Sequence, residues 1–216
     1  MRRWNGWGDD TIQFPLPAGA GRFLEVRVGP GTPPRDAALD EALAQVPPSR
    51  LPAHPLVSVA PIERLHHARG QSLPDWVALR SGRIAAFPDG VAYPQTSTEV
   101  RDLLHYAAQT GAVVIPYGGG TSVVGHINPP AGQAPVLTVD MGRISSLRRF
   151  DEVSGLATFG AGICGPDLEA QLRARGFTLG HFPQSFEYST LGGWIAMRSS
   201  GPVSYTHLTL PTIYSV

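Results

Sequence analysis

"VVIPYGGGTSVVGHINP" (residues 113–129) begins with an apolar run typical of a buried strand and continues into three consecutive glycines and two hydroxyl residues. Gly118, Gly119 and Gly120 cost backbone entropy and offer no side chain for packing. A tight turn needs one or two such residues, so three of them predict a loop that a bulky polar group approaches closely. Backbone N–H groups in such a loop point into a concavity that suits phosphate oxygens.

The glycine loop has no lysine beside it, and all 17 basic residues of the chain are arginines. The loop therefore lacks the lysine of a triphosphate-binding P-loop, and we predict a diphosphate that is held rather than cleaved. The same absence excludes a Schiff-base lysine within these residues. Together with many Ala, Gly and Pro residues, it favours a GC-rich, bacterial source.

Charge, hydropathy and cysteine content exclude several classes of function. The formal net charge of zero gives no general electrostatic case for binding nucleic acid. No apolar run approaches the roughly 18 residues of a membrane helix, and acidic residues precede any hydrophobic segment, so a cytoplasmic protein is expected. Cys164 is the single cysteine, which excludes an internal disulfide. His66 and His67 have no acid or cysteine at ligand spacing, so no metal site is predicted.

The rest of the chain reads as short strands alternating with helices. The clearest helix is predicted over residues 96–111, where Thr96 and Glu99 have capping-box spacing and Gly111 ends an apolar stripe. Further helices are predicted over 35–46, 72–80, 165–176 and from Thr190. Strands are predicted over 22–28, 90–94, 112–116, 135–141 and, as a pair, within 144–162. Residues 47–75 read as an extended, proline-rich connection.

A second segment, "HFPQSFEYSTLGGWIAMRSSG" (181–201), repeats the chemistry of the glycine loop. Ser185, Ser189 and Thr190 supply hydroxyl groups, and two glycines follow that permit close backbone approach. The predicted helix start at Thr190 adds N–H groups and a dipole that favour an anion. Two largely neutral segments of this kind indicate one elongated cofactor with an internal diphosphate.

A different glycine motif offers an alternative. Gly160, Gly162 and Gly165 match G-x-G-x-x-G, follow a predicted strand and precede a predicted helix, which is the setting of a Rossmann dinucleotide site. That site also needs an acidic residue at the end of the next strand, and residues 177–183 contain none. We therefore favour a simple turn between strand and helix.

Over residues 1–201 the chain resembles the FAD-binding domain of the vanillyl-alcohol oxidase / p-cresol methylhydroxylase superfamily. Within it, the chain is most similar to the alkyldihydroxyacetonephosphate synthase (alkylglycerone-phosphate synthase) group. The motifs that carry the resemblance are "IPYGGGTSV" (115–123), "FGAGICGPDLEAQL" (159–172) and the second segment, together with the opening "WNGWGDD".

The resemblance implies an α+β fold: a PCMH-type FAD-binding domain of two α/β subdomains, incomplete at its C-terminus. Residues 1–87 would form an N-terminal arm and helical segment, and residues 88–201 the first part of the FAD-binding domain. Residues 202–216 lie outside the resemblance and read as a sequencing or assembly artefact.

The resemblance also implies which residues contact FAD. The family's diphosphate loop falls on Pro116, Tyr117, Gly118, Gly119, Gly120, Thr121 and Ser122. The second flavin-contacting stretch falls on Gln184, Ser185, Phe186, Glu187, Tyr188, Ser189 and Thr190, and a third on Met197, Arg198, Ser199 and Ser200. Several relatives carry a flavin-linked histidine where this chain has Thr121, so FAD is expected without a covalent bond.

The implied function is that of a flavoenzyme acting on a small molecule. Synthase-like motifs favour flavin-dependent exchange of an acyl for an alkyl group on dihydroxyacetone phosphate, in ether-lipid synthesis. FAD-dependent oxidation of a 2-hydroxy acid, of the D-lactate dehydrogenase or glycolate oxidase type, stays open, as does a non-catalytic FAD-binding fragment. The catalytic cap would lie beyond residue 201, so no catalytic residue is assigned; in the full-length protein a homodimer and a peripheral membrane contact through a lipid substrate stay open.

Overall fold

A computed structural model of the chain describes residues 3–12, 15–32 and 35–199. The helices of these ranges are α1 (Ala20–Val28), α2 (Leu39–Leu43), α3 (Pro61–His66), α4 (Leu73–Ser81), α5 (Ser97–Thr110), α6 (Gly165–Arg173) and α7 (Leu191–Ala196). The strands are β1 (Val57–Ser58), β2 (Gly90–Ala92), β3 (Val113–Tyr117), β4 (Val136–Asp140), β5 (Leu147–Asp151) and β6 (Leu156–Phe159), with a short 3-10 helix at Met141–Arg143.

The larger sheet has the strand order β1-β2-β4-β3. β1 is antiparallel to β2, whereas β2, β4 and β3 run parallel, with Val91 and Ile115 both opposite Thr138. β4 is buried on both faces, as expected for a central parallel strand. Because the carboxyl ends of parallel strands meet at one edge, the glycine loop after β3 lies beside the 3-10 helix after β4.

Helix α5 covers this sheet and matches its prediction. The helix buries Leu103, Tyr106 and Ala107 in the cluster that contains Leu137 and Val139 of β4. The Thr96 hydroxyl accepts the Glu99 N–H at 3.1 Å, and Gly111 ends the helix with a left-handed φ of 67°. The Glu99 carboxylate accepts the N–H of Gln95 rather than that of Thr96, so the predicted capping box is only half formed.

A second, two-stranded sheet is built from β5 and β6. These strands are antiparallel and joined by a turn that ends at Gly155, as the sequence predicts. Helix α6 follows and packs Leu168 and Leu172 against Ile163 and Trp194 of α7. Two separate sheets with helices confirm the predicted α+β fold.

The structure departs from three of the predicted elements. Residues 22–28, predicted as a strand, belong to α1, which buries none of its residues. A strand needs a neighbouring strand to complete its backbone hydrogen bonds, whereas a helix forms these bonds within itself. In α1, the Arg27 guanidinium also stacks on the Phe23 ring one turn away, 3.7 Å from the ring centroid. The connection at 47–75 is not wholly extended: it contains β1 and α3, the latter begun by Pro61. The helix predicted over 35–46 is limited to α2.

The Rossmann alternative is also wrong. β6 pairs antiparallel with β5, so β6 and α6 are not part of a parallel βαβ unit. The glycines instead allow close backbone packing: a Cβ on Gly160 would lie 2.2 Å from the Ile144 carbonyl oxygen, and one on Gly162 would lie 1.8 Å from that of Met141.

Two predictions stay open. The division between residues 87 and 88 stays a prediction, although β1 from the first part pairs with β2 from the second. The tail at 202–216 lies outside the described residues. Within the described ranges, no helix combines the length and apolar character needed to cross a bilayer.

Candidate cofactor site

The two predicted cofactor segments lie against each other. A Cβ on Gly119 would stand 1.7 Å from the carbonyl oxygen of Tyr188, and a Cβ on Gly118 would stand 2.3 Å from Oγ1 of Thr190. No side chain fits at either position, so these two glycines bring the loop backbone into contact with the second segment. The sequence predicts that these glycines let a ligand approach the backbone closely. The structure shows that Gly118 and Gly119 also allow this contact within the chain.

Residues 185–189 of the second segment form a tight turn that leads into α7. The Ser185 carbonyl accepts the N–H groups of both Tyr188 and Ser189, at 3.0 and 2.8 Å. Thr190 is the N-cap of α7, and its hydroxyl accepts the Gly193 N–H at 3.4 Å. The Ser189 hydroxyl accepts the indole N–H of Trp194 at 2.6 Å. Ser189 and Thr190 are both buried, and their hydroxyl groups hold this segment in place.

The end of the glycine loop is hydrogen-bonded to the residue that precedes the N-cap of α4. Gly120 has a φ of 69°, which favours glycine, and the chain then turns towards Ser122. The Ser122 carbonyl accepts the Gln71 N–H at 2.6 Å, and its hydroxyl lies 3.1 Å from Nδ1 of His126. Pro116, in β3, is exposed.

A small cavity lies where these segments converge. Its lining combines the glycine loop, the second segment, the N-terminal arm (residues 3–12) and the start of α4. The lining residues are Gly6, Trp7, Gly8, Gln71, Gly119, Thr121 and Tyr188. Three of them were predicted to contact a cofactor. The sequence offered no signal for Gln71, whereas Trp7 and Gly8 belong to the "WNGWGDD" opening that resembles the family.

The remaining predicted residues are not among those that line this cavity. Gln184 and Glu187 are exposed, and the ring of the half-buried Phe186 packs against Gly165 at the start of α6. Met197, Arg198 and Ser199 follow the C-terminal end of α7, about 9 Å along the helix axis from Thr190. Arg198 has a positive φ of 50°, a rare conformation for a residue with a side chain. Ser200 lies outside the described residues.

A buried polar network supports the base of the glycine loop. The Tyr117 ring lies 4.4 Å from the His67 ring, and Nε2 of His67 lies 3.0 Å from the Asp140 carboxylate at the end of β4. The Tyr93 hydroxyl donates to Glu63, and burial together with that carboxylate raises the pKa of Tyr93 well above its usual range. The network thus ties α3 to the ends of β2, β3 and β4. In the described part of the chain, no cluster of acidic, His and Cys side chains could hold a metal ion.

The chemistry of the cavity suits a diphosphate that is bound without being cleaved. The lining residues carry no formal charge, and they offer hydroxyl, amide and backbone groups beside two aromatic rings. Thr121 and Tyr188 carry hydroxyl groups, and the Gln71 side chain carries an amide. A neutral donor set of this kind fits the middle of a dinucleotide cofactor.

Residues 88–213 match the family described as an FAD binding domain. The chain belongs to this FAD-binding family. Its sequence is 33% identical to alkyldihydroxyacetonephosphate synthase of Dictyostelium discoideum over 92% of the chain, and 32% identical to that of Trypanosoma brucei brucei over 94%. A solved structure of an alkyldihydroxyacetonephosphate synthase superposes on 95% of the chain with a TM-score of 0.79 and 28% identity.

The FAD-binding chain is shorter than these relatives. It spans 38% of the length of both curated synthases and 45% of the solved chain. D-lactate dehydrogenase [cytochrome] 1 of Saccharomyces cerevisiae is also similar, at 30% identity over 57% of this chain and 21% of its own length. The predicted family resemblance and the predicted cofactor, FAD, are confirmed.

Proposed function

We propose that this chain binds FAD without a covalent bond and is the FAD-binding part of an enzyme like alkyldihydroxyacetonephosphate synthase. The observation that carries the proposal is the contact of Gly118 and Gly119 with residues 188–190. This contact joins the two sequence segments predicted to hold one cofactor, and Gly119, Thr121 and Tyr188 line the cavity beside it. When bound, the flavin ring supplies the redox chemistry of such an enzyme.

The residues of the chain would bind and orient the cofactor. Backbone groups of the glycine loop and the Thr121 hydroxyl would hold the diphosphate, while Ser189 and Thr190 fix the second segment from inside. Thr121 cannot form the flavin bond that a histidine forms at this position in some relatives, which supports dissociable FAD. Residues 197–200 stay predicted contacts of the same cofactor.

Similarity to synthases over most of the chain supports acyl-to-alkyl exchange on dihydroxyacetone phosphate as the activity of the whole protein. The second candidate, oxidation of a 2-hydroxy acid, is favoured by the similarity to a D-lactate dehydrogenase, which covers less of the chain. A non-catalytic FAD-binding chain is the third. For the two enzymatic candidates a small molecule is the proposed substrate, and no catalytic residue is assigned.

Several properties of the whole protein stay predictions. They are the cytoplasmic location, a homodimer, peripheral membrane contact through a lipid substrate, and the bacterial source. The two curated synthases described above come from eukaryotes, so they add no support for a bacterial source.

A spectral titration of the purified chain tests the proposal. FAD should bind and change its absorbance spectrum, NAD should not compete, and acid precipitation should leave all flavin in the supernatant. Flavin that stays with the precipitated protein would contradict non-covalent binding. A chain that binds NAD but not FAD would contradict the cofactor itself.

A further inference from the structure

The N-terminal arm (residues 3–12) is folded on itself and docked at two points. The Arg3 N–H donates to the Gly8 carbonyl at 2.9 Å, and its guanidinium donates to the Ile12 carbonyl at 2.8 Å. Trp4 packs on the cluster of α2, α3 and α4 that includes Leu65. Trp7 lies at the other docking point, beside the cofactor segments. The arm thus connects the cluster of α2, α3 and α4 with the candidate cofactor site.

Trp7 and Gly8 both contact Tyr188, whose backbone also contacts Gly119 of the glycine loop. The Trp7 and Tyr188 rings meet edge-to-face with centroids 5.1 Å apart. Gly8 has a φ of 81°, and a Cβ there would lie 3.3 Å from the Tyr188 hydroxyl oxygen. Tyr188 therefore lies between Gly119, on its backbone side, and the arm, on its ring side.

Gln71 closes the cavity from the start of α4. Its backbone N–H holds the Ser122 carbonyl, and its side-chain oxygen accepts the Trp76 indole N–H at 2.6 Å. With that oxygen engaged, the amide NH2 group is the part of the side chain that can donate. Within the described ranges this NH2 group makes no hydrogen bond, although Gln71 lines the cavity with Trp7 and Thr121.

We infer that the arm, through Trp7, and Gln71, through its amide NH2 group, form the outer wall of the FAD site. This inference rests on the proposed function. It makes the arm part of the binding site rather than a separate anchor, so FAD binding and arm docking stabilise each other. If FAD contacts the arm only when the arm is docked, FAD binding raises the equilibrium constant for docking. Docking then raises the affinity for FAD by the same factor.

Two substitutions in the full chain test the wall from either side. Trp7→Ala removes the aromatic face and should weaken FAD binding about fivefold, while Trp7→Phe should restore most of it. Gln71→Glu keeps an oxygen for Trp76 but places a negative charge where a donor stood, and should weaken binding by about tenfold or more. Phe23→Ala on exposed α1 and Gln133→Glu on an exposed loop are the matched controls, and both should bind FAD normally.

Chymotryptic cleavage after Trp7 gives a readout that needs no variant and no activity. Mass spectrometry follows the loss of residues 1–7 from the unsubstituted chain, with and without saturating FAD. The inference predicts slower cleavage with FAD. Unchanged or faster cleavage, or unchanged FAD affinity in both variants, would overturn it, because the arm would then be independent of the cofactor or displaced by it. If the unsubstituted chain binds no FAD, the proposed function fails; if it binds FAD with an indifferent arm, only this inference fails.

Discussion

Gly119 and Tyr188 are packed so closely that a single added methyl group would overlap the Tyr188 carbonyl oxygen, at 1.7 Å. The two residues are far apart in sequence, and each belongs to a segment that was predicted to contact the cofactor. Their contact brings the two predicted cofactor segments together. It also shows why the glycine loop needs consecutive glycines, since the neighbouring Gly118 meets Thr190 in the same way.

The Gly118 contact predicts a specific rescue. Gly118→Ala should destabilise the chain by about 1–3 kcal/mol, because its Cβ would lie 2.3 Å from Oγ1 of Thr190. Thr190→Ala removes that oxygen, so the double variant should be more stable than the sum of the two single changes predicts. Urea unfolding of the four chains measures the coupling. Strict additivity would contradict the contact.

Trp194 and Ser189 form a buried hydrogen bond beneath the second segment. Trp194→Phe should lower the free energy of unfolding by about 1–3 kcal/mol, because it leaves the buried Ser189 hydroxyl without its donor. Trp76→Phe is the control: Trp76 donates at the same distance of 2.6 Å but is 38% exposed, and water can replace its bond to Gln71. The two variants are compared by denaturant titration. Equal losses would argue against a structural role for the buried pair.

The lowered pKa of Asp89 predicts how the free energy of unfolding depends on pH. Burial raises the pKa of this carboxyl, but hydrogen bonds from Arg50 and from the Val136 N–H outweigh burial and hold it below its ordinary value of 3.8. Because the pKa is lowered on folding, the stabilisation is present above the ordinary value and is lost as the pH falls through the lower, folded value. Asp89→Asn should therefore cost about 1–3 kcal/mol at neutral pH and flatten the loss of stability at acid pH.

Asp36→Asn is the matched control for Asp89→Asn. Asp36 also pairs with an arginine, Arg80, at 2.7 Å, but both side chains are largely exposed. An exposed pair of this kind is worth about 1 kcal/mol or less, so this variant should remain close to the unsubstituted chain. Thermal unfolding between acid and neutral pH measures both variants. Parallel pH profiles of the Asp89 variant and the unsubstituted chain would contradict the predicted role of Asp89.

Local sequence signals predicted most helices and strands around the site. Helix α5 was predicted because its cap, its apolar stripe and its terminal Gly111 all lie within one short segment. Residues 22–28 form a helix rather than the predicted strand, because a short apolar segment does not show whether a partner strand exists, and α1 has no buried face. An element is predictable when the residues that determine it lie within the element or at its ends.

The candidate site shows the same limit. The glycine loop and the second segment could be predicted as cofactor segments, and the family match supports that reading. The contact of Gly119 with Tyr188 could not, since nothing in either segment says what its glycines touch. Gln71 could not be found either, because its place in the cavity depends on a backbone hydrogen bond to Ser122, which lies in a different segment.

Equilibrium titration with FAD of three chains tests most directly whether the Gly119–Tyr188 contact builds the cofactor site. The chains are the unsubstituted protein, Gly119→Ala, and Gly132→Ala, whose added Cβ would meet no atom within 4 Å. Gly119→Ala should lose FAD binding by at least about tenfold, since the loop must move away from the Tyr188 carbonyl, and Gly132→Ala should bind normally. A folded Gly119→Ala chain that binds FAD as tightly as the unsubstituted protein would contradict the proposed site.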